Sequence, residues 1–122
     1  MSTDTAYAWP YGVVPHERIA EGVKFEHEHD PDWWREDVEK AIDLERLDLD
    51  HPCRCIFGQR YGNYWRKTEK LGMDEETAAR LGFTSISFSE GNGTRLWRDL
   101  EEITDHWRAY IRAIRAAAKE AS

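Results

Sequence analysis

Two periodicities alternate along the chain and divide it into an N-terminal third and a helical remainder. Residues 23–29 read Val-Lys-Phe-Glu-His-Glu-His. Val23, Phe25, His27 and His29 would share one face of a strand, with Lys24, Glu26 and Glu28 on the other. Ahead of them, Pro10, Gly12 and Pro15 predict an extended arm that carries Tyr7, Trp9 and Tyr11. A short helical turn over 15–21 fits Pro15 at its first position and Gly22 just past its end. Asp30-Pro31 then predicts a helix start, Asp as N-cap and Pro at N1, running to about residue 47. This helix would bury Trp34, Val38, Ala41 and Ile42 and pair Glu36 with Lys40.

A second helix is expected from near Cys53 to Leu71, closed by Gly72, with Phe57, Tyr61, Tyr64, Trp65, Thr68 and Leu71 as its apolar stripe. Gly58 and Gly62 lie one turn apart beside that stripe. Each costs about 1 kcal/mol relative to Ala inside a helix, so they imply a neighbouring backbone, the long C-terminal helix, in close approach. Asp74 caps a two-turn helix with Ala78 and Leu81 inward, Gly82 closing it and Phe83 folding back. Residues 84–89 alternate as a strand, Gly91-Asn92-Gly93 turns, and Thr94 is the N-cap candidate for the last helix. That helix, about 95–119, has the cleanest stripe: Leu96, Leu100, Ile103, Trp107, Tyr110, Ile111 and Ile114. The expected fold is mainly α, with three to four helices, an aromatic N-terminal arm, and a two-stranded ribbon if 23–29 pairs with 84–89. Residues 1–30 form the arm and strand and 31–122 the helical part of one globular domain.

Composition sharpens this picture at two points. Six tryptophans in 122 residues imply a real core, with one or more left as surface anchors. The net charge of −7 is lopsided: residues 1–50 carry −9 and residues 51–122 carry +2. An acidic half disfavours nucleic acid and membrane phosphates and suits a basic partner. Trp33 points away from the Trp34 stripe of the expected helix and is therefore the predicted exposed anchor. The predicted partner surface comprises Tyr7, Trp9, Tyr11, Glu26, Glu28, Asp30, Asp32 and Trp33. The N-terminus lacks a basic start and an apolar run, and two cysteines one residue apart suit no ordinary disulfide, so a cytoplasmic protein with reduced thiols is expected.

Three chemical readings compete at the motifs. His51, Cys53 and Cys55, with His27 or His29, could supply four zinc ligands from two segments, although neither cluster has the spacing of ordinary structural zinc sites. Residues 71–95 have the outline of a helix-turn-helix DNA-binding regulator, but the segment after Gly82 is uncharged and β-prone. Arg108, Arg112, Arg115 and Lys119 form a basic line on the last helix, most simply a solvated face matched to its dipole. No nucleophile elbow, phosphate loop or HExxH is present, so no catalytic residue is assigned, no cofactor is expected, and the chain reads as non-enzymatic.

The stretches "CIFGQRYGNYWRKTEKLGMDEETAARLGF" and "LEEITDHWRAYI" carry a resemblance. Cys55, Gly58, Gln59, Tyr61, Gly62, Tyr64, Leu71, Gly72, Leu81, Gly82, Phe83, Thr104, Trp107, Arg108 and Ile111 follow a recurrent pattern. Over roughly residues 50–112 the chain resembles small accessory proteins of actinobacterial phages and prophages. The resemblance implies a setting inside an actinobacterial host and transfers no catalytic residue; the expected partner of the acidic and aromatic N-terminal surface is a host or phage macromolecule, in the first place a protein. Self-assembly or a place in the virion stays open, as does a homo-oligomer.

Overall fold

In the computed structural model of the protein, residues 7–84 and 93–121 are described, the last helix by its backbone alone as far as residue 99. Helix α1 spans Glu17–His29, α2 Ile56–Tyr61, α3 Tyr64–Leu71, α4 Glu75–Arg80 and α5 Gly93–Ala121. A single 3-10 turn, Pro10–Gly12, precedes them, and no strand is present among the described residues. The architecture is mainly helical, as the apolar periodicity implies.

The strand expected over 23–29 is instead the C-terminal half of α1. His16 caps the helix, its ring Nδ1 accepting the Arg18 amide at 3.1 Å, and Glu17 sits at the positive end of the dipole. Ile19, Val23 and Glu26 then line one buried face at helical spacing. Seven alternating residues fit a helix once the upstream turn extends into them. Gly22 does not stop that turn, because its role is packing. A Cβ there would lie 1.9 Å from the Leu81 carbonyl oxygen and 2.9 Å from the Trp107 ring. The other half of the expected ribbon, 85–89, lies outside the described residues.

The helix expected over 31–47 does not form; residues 30–55 contain turns and no helix. Three aspartates offer the backbone another partner. Asp30, Asp43 and Asp48 each accept, through Oδ1, the amide two residues on. Such local bonds compete directly with helical ones. The segment buries both Trp33 and Trp34, together with Ile42, Leu47 and Leu49. The single helix expected over 53–71 is broken at Gly62, which ends α2 at φ 98°, and Asn63, whose side chain caps α3 by accepting from Arg66. Gly58 is tight against the Pro52–Cys53 backbone, where a Cβ would meet Pro52 oxygen at 2.3 Å, rather than against α5. Asp74 caps α4 as expected, Gly72 and Gly82 take positive φ, and Phe83 folds back into the core.

Trp107 of α5 is the centre of packing. Its ring stacks on Phe83 at 5.2 Å, meets Trp33 edge-on at 5.7 Å, and its Nε1–H donates to the Gly82 carbonyl at 2.6 Å. Ile103, Ile111 and Ile114 extend the same buried stripe.

Candidate functional site

An irregular segment of this length must place its backbone carbonyls somewhere, since buried carbonyls without donors are costly. Here side chains from the helices supply the donors. Arg115 donates Nε–H to Trp34 oxygen (2.7 Å) and Nη2–H to Ile42 oxygen (2.8 Å). Arg108 donates to Leu44 and Leu47 oxygens, each at 2.9 Å. The Leu49 amide donates to the buried Thr104 hydroxyl, and Lys119 pairs with Glu36. The segment therefore lies along α5 from Thr104 to Lys119, about 22 Å of helix. From the other side Gln59 bonds the amide and carbonyl of Asp43, and Arg60 donates to the carbonyls of Glu39 and Lys40. Two members of the expected solvated line, Arg108 and Arg115, are thus staples; Arg112 is exposed.

This arrangement displays charge. Residues 28–50 contain ten acids and three bases, so they alone carry −7 and the rest of the chain is neutral. Glu28, Asp32, Glu36, Asp37, Glu39, Asp43, Glu45 and Asp50 are exposed, while the tryptophans, Ile42, Leu47 and Leu49 face inward. Two shallow grooves flank the strip. One of about 470 Å³ is lined by Glu45, Asp48, Arg54, Glu101 and Arg108, among others. The second, about 320 Å³, runs between Tyr11, Trp34, Glu36, Asp37 and Lys119.

The predicted surface residues are scattered by comparison. Trp33, expected to be the exposed anchor, is 0% exposed. Its Nε1–H donates to His27 Nδ1 at 3.1 Å, which leaves the His27 proton on Nε2, 3.1 Å from the Tyr110 hydroxyl. Burial pushes the His27 imidazole down to about 4 and raises the Tyr110 phenol. The expected helix sets Trp33 and Trp34 on opposed faces; because it does not form, both rings turn inward. Glu26 is likewise corrected from surface to core, at 1% exposure. Burial, against the opposing pull of Arg60 and with the push of Asp30, lifts its carboxyl to about 8. Asp30 is half-buried and pairs with Arg60. Only Glu28 and Asp32 are exposed acids as expected. The described part of the arm, from residue 7, lies against its own protein: Tyr7 and Trp9 rings are 4.4 Å apart, Trp9 packs against the core, and Tyr11 meets Trp34 edge-on.

The proposed zinc ligands are not brought together. Among the described residues no group of three or more His, Cys, Asp or Glu is placed to hold one ion. His27 is bonded as above, His29 Nδ1 contacts Phe25 oxygen, and His51 Nδ1 accepts the Cys53 amide. Cys55 is buried and caps α2, its thiol pushed up to about 11 by burial, while Cys53 is exposed. The serine-rich segment of the helix-turn-helix reading, from 85 to 92, lies outside the described residues. No helix among the described residues is long and apolar enough to cross a membrane.

The sequence reading missed Gln59, Arg60, Arg108 and Arg115. A signal for two of them existed. Thr104, Arg108, Ile111 and Arg115 follow i, i+4, i+7, i+11, which sets both arginines at the edge of the apolar stripe rather than opposite it. Comparison with protein-family models, curated proteins and solved structures finds no match for this chain.

Proposed function

We propose that the chain is a non-enzymatic binding protein that presents the acidic strip of residues 28–50 to a basic surface on a partner protein. The phage or prophage accessory proteins it resembles suggest the setting, a bacterial cytoplasm, and a host or phage protein as that partner. One observation carries the reading: residues 30–50, without helix or strand and with nine acids against three bases, are fixed in place by side chains from α2 and α5. Long irregular segments in compact domains are uncommon and are usually functional. A fixed loop also loses less entropy on binding than a mobile one. Tyr11, 51% exposed beside Trp34, supplies an aromatic contact at one end of the strip.

The test is capture of partners from an actinobacterial lysate on two baits, the natural chain and Glu36→Lys/Asp37→Lys/Glu39→Lys. A basic protein retained by the first, released by rising salt and absent from the second at equal melting temperature, supports the proposal. The same proteins on both baits, or retention indifferent to salt, would refute it.

A further inference from the structure

Glu26 is the one fully buried carboxyl among the described residues, and its Oε2 has no hydrogen-bond partner. The charged and titratable groups acting with it are Arg60 and Tyr61 of α2, Lys67 of α3 and Asp30 at the end of α1. Lys67 is already engaged over the Tyr61 ring at 3.9 Å. Arg60 is the unusual neighbour. Its side chain is 9% exposed, and its guanidinium reaches in two directions, to the Asp30 carboxylate and to the carbonyls of Glu39 (3.0 Å) and Lys40 (3.2 Å). Its Nε is buried without an acceptor.

The carbonyls that Arg60 grips belong to a strained turn. Lys40 has φ 60°, a left-handed conformation that residues with a Cβ seldom adopt. A backbone of this kind persists only where its surroundings hold it, and Arg60 is a principal holder. An orphaned carboxyl oxygen and an orphaned guanidinium N–H thus sit in one buried cluster, joined to a turn that does not hold itself.

We propose that Glu26 and Arg60 form a proton-operated clamp on the 39–40 turn of the acidic strip. With Glu26 neutral, Arg60 serves Asp30 and the two carbonyls. When Glu26 releases its proton to solvent, the carboxylate has a partner in the Arg60 Nε–H. Turning the guanidinium towards it withdraws Nη1 from Glu39 and Lys40. The turn then relaxes from its left-handed conformation and the centre of the strip loosens. The charge change is small, but the element it biases has two distinct arrangements. Its consequence for partner binding rests on the proposed role of the strip; the clamp itself does not.

Amide hydrogen exchange of the free protein at about pH 6 and about pH 8.5, corrected for intrinsic rates, reads the clamp directly. Protection of the Asp43 amide, which donates to Gln59 Oε1 beside the turn, is expected to fall about tenfold or more at the higher pH in the natural chain and to hold in Glu26→Gln. Arg60→Lys should lack that protection at both values. Unchanged protection in the natural chain, or an equal fall in Glu26→Gln, would overturn the proposal. Should Glu26→Gln not fold, carboxyl-detected NMR of the natural chain replaces it. The Glu26 carbon and the 39–43 amides must then titrate with one midpoint, and separate midpoints overturn the clamp. A working clamp with no partner on the lysate column fails only the binding proposal; a partner bound with no pH-linked exchange fails only the clamp.

Discussion

Replacing Arg115 by Met separates two accounts of the basic line on α5. If the line is a solvated face favoured by the helix dipole, Arg115→Met and Arg112→Met should cost similar small amounts, about 0.3–1 kcal/mol each. The structure gives them different work. Arg115 donates two short hydrogen bonds, to Trp34 and Ile42 oxygens, whereas Arg112 is exposed and makes no bond to the 30–55 segment among the described residues. Hydrogen bonds to a charged donor are worth about 1.5–3 kcal/mol each, and removing the donor strands both carbonyls. Arg115 is half-buried beside a groove, so water can reach part of the loss. The net cost of Arg115→Met is then about 2–4 kcal/mol, a large share of a typical domain stability of about 5–15 kcal/mol. Arg112→Met should stay within about 0.5 kcal/mol. Equilibrium urea unfolding followed by tryptophan fluorescence measures both, and the Arg115 variant should lose about 1–2 M in midpoint. Equal midpoints for the two variants would show that arginine does not hold the segment.

Two further outcomes follow from the buried polar groups. Trp33→Ala should destabilise by about 3–5 kcal/mol, as large core truncations do, and Trp33→Phe by about 1–3 kcal/mol because it leaves His27 Nδ1 without its donor; chemical denaturation that found Trp33→Ala neutral would return this residue to the surface. Stability should also depend on pH in opposite senses at its two ends. The Glu26 carboxyl, raised from 4.5 to about 8, contributes stability that is complete below pH 4.5 and lost as pH rises through 8. The His27 imidazole, lowered from 6.5 to about 4, contributes stability that is complete above 6.5 and lost as pH falls through 4. From about pH 6.5 to 8.5 the Glu26 loss acts without the His27 one and amounts to about 2 kcal/mol, which Glu26→Gln should abolish in paired urea titrations; an identical slope in the variant would contradict it.

Parts of this protein were legible without coordinates because their causes are local. Asp74, Gly72 and Gly82 bound α4 and α3 through their own side chain or backbone freedom. The α5 stripe repeats often enough to admit only a helix. Gly62-Asn63 was also readable, as a helix end followed by a cap, but a stripe continuous across it favoured one long helix. The candidate site was less legible. Its acidity is visible in the sequence, whereas Trp33, which the expected helix puts at the surface, is a core residue, and the side chains that hold the segment lie far along the chain.

By itself, then, the sequence determined a mainly helical chain, the position of its last helix, the caps around α4 and an acidic N-terminal half. Each of these depends on residues within a turn or two of one another. Only the tertiary structure decided that 23–29 is helical, that 31–47 is not, and that Trp33 and Glu26 are buried. In α1, seven alternating residues satisfy both periodicities, and contact of Gly22 with Leu81 and Trp107 selects the helix. In the acidic segment, local aspartate bonds and distant arginines outbid the helical ladder. Arg60, Arg108 and Arg115 act across 20 to 81 residues of chain; the α5 stripe places two of them at its inner edge, but a pattern read along the sequence does not register which distant carbonyls they reach.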